Sequence, residues 1–183
     1  MMRGVAASPA DRPDASGEGD PSIIDELVAS AAEHAVTPDS PPRTPRPARR
    51  VAVVACMDAR LDLFGILGLE PGDAHLIRNA GGVATDDVIR SLTISQRKLG
   101  TREVVLIHHT DCGMLTFTED ELRQELLEET GVKPSWAAES FSDLDVDVRS
   151  SLQRVRTSLF LPHRDHVRGF VYDVDTGVLR EVE

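Results

Sequence analysis

Two cysteines, Cys56 and Cys112, are all the chain contains, and each stands beside other groups able to do chemistry. His109 precedes Cys112 by three residues; Asp58 follows Cys56 by two, and Arg60 follows Asp58 at the same interval. Zinc takes thiolate sulfur and imidazole nitrogen in a tetrahedron, and catalytic sites keep one of the four positions open. A His-x-x-Cys turn brings two such ligands to one point. Cys56, from another segment, would complete a Cys2His set with a vacant fourth place. Two cysteines also allow a disulfide or a pair of buried small apolar residues, and a reducing compartment disfavours the first of these. Asp58 and Arg60, two apart on an extended segment, point the same way and can form a bidentate ion pair. That pair is an ordinary surface salt bridge in most settings. Next to a metal ligand, its carboxylate would instead accept a hydrogen bond from a metal-bound hydroxide, with the arginine keeping it oriented and ionised.

These residues need elements to carry them. Val51–Cys56 is a short, almost wholly apolar run, which marks a strand covered on both faces. Ala74–Arg78 reads as a second strand and Glu103–His109 as a third. Between them Asp86–Leu99 shows helical spacing of Val88, Leu92 and Leu99, with Gly100 just past its end. Two more helices are expected, from Thr118 to Glu129 with Gly131 as the stop, and from about Asp143 to Ser158. Gly169–Asp173 makes a fourth strand, and the turn at Asp175-Thr-Gly177 leads to a hairpin partner over Val178–Val182. Strands alternating with helices predict an α/β fold with a mostly parallel central sheet flanked by helices. Three polar loops then follow three strand ends: Cys56 to Arg60, Arg78 to Gly82, and His108 to Gly113. In such sheets ligands bind outside the carboxyl ends of the strands, where strand order reverses. The glycines Gly81 and Gly82 either let backbone approach the site or simply turn the chain. Thr110 and Asp111 are candidates for orienting or capping the ligand turn. His108 faces away from His109 across the strand and has a structural role, while His75, His163 and His166 have no partner at ligand spacing. Val83, Leu63 and Phe64 are candidates for lining an apolar pocket or an interface.

Together, Cys-Met-Asp-Ala-Arg, Arg-Asn-Ala-Gly-Gly and His-His-Thr-Asp-Cys-Gly-Met, in this order, resemble the signature blocks of the β-class carbonic anhydrases. The resemblance runs from about Arg50 to the C-terminus. It implies Cys56, His109 and Cys112 as ligands of one zinc ion, with Asp58 and Arg60 as the catalytic dyad. It also implies assembly as a homodimer or dimer of dimers. The expected activity is that of a carbonate dehydratase, the reversible hydration of carbon dioxide to bicarbonate and a proton. Zinc lowers the pKa of a bound water from 15.7 to about 7; two thiolates would leave that water less acidic than three histidines would, so activity should rise toward pH 8 and above. In some members of the family the aspartate equivalent to Asp58 leaves its arginine and closes the zinc site.

The remainder of the chain bounds this reading. Eight of its 11 prolines fall in the first 50 residues. Residues 1–21 are expected to form a disordered tail, residues 22–49 an amphipathic helix with a proline-rich linker, and residues 50–183 the catalytic zinc-binding domain. In the helix Ser22 is the expected N-cap, with Ile23, Ile24, Leu27, Val28 and Ala31 on one face. A net charge of -11 argues against a nucleic-acid partner. No apolar run approaches the ~20 residues of a membrane span, and the first residues lack the apolar core of a secretory signal, so a cytoplasmic protein is expected. Two alternatives share some of these features. One is a zinc hydrolase of carbon disulfide or carbonyl sulfide on the same scaffold. The other is a non-catalytic zinc-binding or redox-sensing protein, which would have no need of Asp58–Arg60. A cysteine phosphatase is excluded, because Cys56 and Arg60 are separated by three residues rather than five, and no phosphate-binding or dinucleotide fingerprint is present.

Overall fold

The structure is a computed structural model that describes residues 22–34 and 44–183. The expected disordered tail, and the linker from 35 to 43, lie outside the described residues. Helix α1, Ile23–Glu33, starts where Ser22 Oγ accepts a hydrogen bond from the Ile24 amide. It belongs to one compact unit of the chain, and residues 44–183 belong to a second.

The second unit is built on a five-stranded sheet in the order β2-β1-β3-β4-β5. Its strands are β1 (Val51–Cys56), β2 (Ala74–Asn79), β3 (Glu103–His109), β4 (Val167–Tyr172) and β5 (Leu179–Val182). The first four run parallel, and only β5 is antiparallel to its neighbour. β1 lies inside the sheet, between β2 and β3, as its residues, apolar on both faces, require. Ala52 and Val54 join one core layer, with Val88 and Leu92 of α3 (Asp86–Leu99) and Val148, Leu152 and Val155 of α5 (Leu144–Thr157). Val53 and Ala55 join the other layer, with Leu61, Leu63 and Leu69. Leu63 opens the short helix α2 (Leu63–Leu67) on that second face. The helix α5 lies so close to β4 that a Cβ on Gly169 would sit 2.5 Å from Val148 Cγ1. The helix α4 (Glu119–Thr130) buries none of its residues; its start is fixed by a capping box between Thr118 and Glu121.

Sheet order reverses at β1, which has β2 on one side and β3 on the other. Register pairs Cys56 with Asn79 and Ala55 with Ile107. The carboxyl ends of these three strands therefore finish side by side, and the chains leaving β1 and β3 diverge to open a crevice. Among the described residues no helix is long and apolar enough to cross a membrane.

Candidate metal centre

Cys56, the last residue of β1, and His109, the last of β3, meet Cys112 in the turn that follows β3. All three are buried, and one ligand atom of each lies within 4.8 Å of the other two. The sulfurs are 3.9 Å apart, and both cysteines are free. A disulfide would hold them at about 2.05 Å, whereas two Zn–S bonds of ~2.3 Å at a tetrahedral angle separate sulfurs by about 3.8 Å. His109 Nδ1 donates to the Thr110 carbonyl at 2.8 Å, which fixes the tautomer and leaves Nε2 as the free lone pair. That Nε2 is buried without any hydrogen-bond partner. An orphaned buried acceptor aimed at two sulfurs is costly unless something occupies the space between them.

The electrostatics of the trio agree. The Cys56 thiol is drawn down to about 4, chiefly because Cys112 donates to it; burial opposes this, and His109 and the amides of Asp58 and Gly81 add to the lowering. Cys112 is pushed upward, chiefly because ionising it would give up the hydrogen bond it donates to Cys56; burial adds to the penalty, and so does the charge already on Cys56. Burial works against a charged His109, but the adjacent Cys56 sulfur and the Thr110 carbonyl, both of which favour the cation, outweigh it and raise its pKa. Without a cation only one of the two sulfurs holds its charge comfortably. Zinc requires both as thiolates and His109 neutral, and the three donors fit that ion in type, number and spacing.

Asp58 stands beside the trio, its Oδ2 3.7 Å from His109 Nε2. Arg60 clasps it through both arms, Nε to Oδ1 at 2.9 Å and Nη2 to Oδ2 at 2.8 Å. The pairing is the expected one, but the backbone is a turn rather than an extended segment. The Leu61 amide donates to the Asp58 carbonyl, and the Arg60 amide to Asp58 Oδ1. The guanidinium of Arg60, through these bonds, holds the Asp58 carboxyl well below the usual carboxylate range.

Two residues complete this arrangement. Asp111 accepts from Arg60 Nη1 at 2.7 Å, and its carbonyl accepts from Nη2 at 2.9 Å. It therefore braces the arginine from the ligand turn, with a φ of +54° that brings its carbonyl round. Arg78, at the end of β2, donates to the carbonyls of Cys56 at 3.0 Å and Asp58 at 2.6 Å. Nothing in the spacing of Arg78 assigned it this part; a guanidinium at a strand end beside a ligand loop was the only available signal. Gly82 has a φ of +74°, and a Cβ there would lie 2.8 Å from both the Cys56 amide nitrogen and the Ile107 carbonyl oxygen. The second loop thus presses its backbone between β1 and β3, beneath the trio.

The remaining candidates divide. His108 is fully buried on the opposite side, hydrogen-bonded to Asp147 at 2.7 Å and packed on Phe141. His75 bridges Ser95 and the Pro45 carbonyl. Leu63 and Val83 are buried, while Phe64 is exposed. Thr110 Oγ1 accepts from the Val174 amide, tying the ligand turn to the chain after β4.

Residues 51–153 match the carbonic anhydrase family model. The chain is 52% identical over 160 residues to beta-carbonic anhydrase 1 of Mycobacterium tuberculosis, covering 87% of this chain and 98% of that one. It is 34% identical to a carbon disulfide hydrolase of Acidianus, over 73% of this chain and 77% of the other. The crystal structure of carbonic anhydrase from Streptococcus mutans superposes with a TM-score of 0.79 at 41% identity, covering 90% of this chain and 99% of its own. The Cys56–His109–Cys112 trio is the donor set typical of zinc in the β class. By sequence, fold and the chemistry of its buried trio, the chain belongs to the β-class carbonic anhydrase family.

Proposed function

We propose that the chain catalyses the reversible hydration of carbon dioxide to bicarbonate and a proton, with Cys56, His109 and Cys112 holding one zinc ion and Asp58 and Arg60 as the catalytic pair beside it. The observation that carries this reading is the unpartnered His109 Nε2 facing two sulfurs 3.9 Å apart, in a chain 52% identical to a named β-carbonic anhydrase. When bound, zinc supplies the acidity that makes hydroxide available near neutral pH. The protein's part is positional. Asp58, ionised by Arg60, offers a carboxylate oxygen toward the space beside His109 and orients the nucleophile's remaining proton. Arg60 keeps that oxygen from swinging inward, and Asp111 and Arg78 hold the arginine and the loop. The apolar layer of Leu61, Leu63, Ile107 and Met114 around the cysteines excludes bulk water and suits a nonpolar substrate.

Stopped-flow hydration of carbon dioxide by the zinc-loaded protein at pH 7 and 8.5 tests the reading. Turnover that rises with pH and is lost in Cys112→Ser is expected. One zinc per chain with no turnover at either pH would overturn it. The similarity to the carbon disulfide hydrolase gives a second reading on the same residues, and turnover of carbon disulfide in the same assay separates the two. In solution the protein is proposed to be a homodimer or a dimer of dimers, which its mass by light scattering checks.

A further inference from the structure

The opposite end of the sheet holds a second cavity, of about 570 Å3, at the amino ends of β1 and β3. Arg46, Arg50, Arg102 and His163 line it, beside Leu99 and Gly100 at the end of α3, and among the described residues no carboxylate does. In this unit nearly every arginine is engaged. Arg49, Arg60, Arg90, Arg123, Arg149, Arg154, Arg168 and Arg180 pair with carboxylates, and Arg78, Arg97, Arg156 and Arg164 donate to carbonyls. Arg46, Arg50 and Arg102 are the ones whose guanidinium meets no acceptor among the described residues, and all three face the same hollow. In a chain with 31 acidic residues against 20 basic ones, three unpaired cations gathered in one place is not what chance or charge balance would produce.

Backbone geometry fixes the group. Arg50 has a φ of +54°, a left-handed conformation that is costly for a non-glycine residue. Its amide donates to the Pro47 carbonyl, and its own carbonyl accepts from the Arg102 amide at 2.7 Å. The stems of Arg50 and Arg102 therefore leave adjacent, hydrogen-bonded chains. Arg46 is set by its amide's bond to Thr44 Oγ1, and the following residues are pinned to Gly72 and Asp73. The His163 amide and carbonyl are both taken by Gln96, which holds its imidazole at the rim. The negative end of α3 favours a nearby cation. That accounts for one arginine, but not for three that repel one another.

We propose that Arg46, Arg50, Arg102 and His163 form a binding site for a small organic anion carrying two phosphate groups. The guanidinium fork matches phosphate oxygens in pairs. Three of them exceed the charge of a single phosphate, and the volume suits a molecule of metabolite size rather than a lone ion. Six residues of β1 at about 3.3 Å each put the site roughly 20 Å from Cys56, so occupancy would not compete with a substrate at the metal centre.

Isothermal titration of the zinc-loaded full chain with fructose 1,6-bisphosphate, at 50 mM salt, tests this. One saturable site per chain is expected, weakened about tenfold or more in Arg102→Gln and in Arg46→Gln, and weakened further by raised salt. Both variants should retain wild-type zinc content and carbon dioxide hydration, which shows that they fold. No saturable binding, or binding unchanged in both variants, would overturn the proposal. Equal affinity for fructose 6-phosphate or for propane-1,2,3-tricarboxylate would overturn the assignment to a bisphosphate.

Discussion

Arg60 reaches Asp58 with two bonds and Asp111 with two more, yet its side chain is 46% exposed. The two carboxylates it joins are not equivalent. Asp58 is largely covered and next to His109, whereas the side chain of Asp111 is 79% exposed. An interaction beside a metal ligand typically alters activity 10–100-fold when removed, while an exposed ion pair contributes about 0.2–1 kcal/mol. On the proposed function, Asp58→Asn should lower kcat/KM by about 10–100-fold with zinc content unchanged. Asp111→Ala should lower it by no more than about fivefold, through a looser Arg60. Steady-state kinetics of the two variants with metal analysis checks both, and equal losses would mean that Asp111 does more than brace. At this scale the sequence was most informative where side chains meet side chains. Cys56, His109 and Cys112 announce themselves by type and spacing, as do Asp58 and Arg60. Arg78 does not, because its acceptors are the backbone carbonyls of Cys56 and Asp58, and every residue has a carbonyl.

Between β2 and α3 the chain must pass under the trio, and Gly82 is the point of contact. An alanine there has two problems at once: a left-handed φ, costing about 1–2 kcal/mol, and a Cβ against backbone atoms of β1 and β3 that have nowhere to move, about 1–3 kcal/mol more. Gly131, at the end of α4, also has a positive φ, +73°, but open space around it. Gly82→Ala should therefore cost about 2–5 kcal/mol and reduce zinc occupancy, and Gly131→Ala only about 1–2 kcal/mol. Urea unfolding of both variants decides it; similar costs would show that the close approach is not what requires Gly82. The long elements were legible because their patterns repeat: β1, β3, α3 and α5 have two-sided or helical apolar spacing over six residues or more. Leu63–Leu67 and the single 3-10 turns at Ala80–Gly82 and Gly113–Leu115 are shorter than any repeat, and nothing local marks them. β4 begins at Val167, two residues ahead of Gly169. Its start is set by pairing with Val104 of β3, a long-range contact that local composition does not carry.

Across the whole molecule the acidic excess and the ion pairs pull stability in opposite directions as pH changes. A net charge of -11 means self-repulsion at neutral pH, which relaxes as the solution approaches the pI of about 5.0. Several carboxyls are held below their ordinary range: Asp145 by its hydrogen bonds to Arg180, Glu181 by Arg168, Asp173 by the Thr176 amide, and Glu121 by the Thr118 amide. A carboxyl with a depressed folded pKa binds its proton later than the unfolded chain does. Its stabilisation is complete above the unfolded value, near 4, and is lost as pH falls from there through the folded value. The paired arginines shift upward from a value already far above this range, so they add no slope in it. Between pH 8 and 5.5 the relief of self-repulsion is opposed in the metal-free protein by the fading stabilisation from the depressed Cys56 thiol, so the melting temperature should change little there, and it should fall steeply below about pH 4.5. Replacing both cationic partners, in Arg168→Gln with Arg180→Gln, should flatten the acid limb while leaving the neutral limb in place. Thermal unfolding from pH 3.5 to 8 measures both slopes. An acid limb as steep in the double variant as in the parent would assign the loss to the remaining carboxyls, Asp58 with Arg60 and Asp173 and Glu121 with their backbone partners, rather than to the surface pairs.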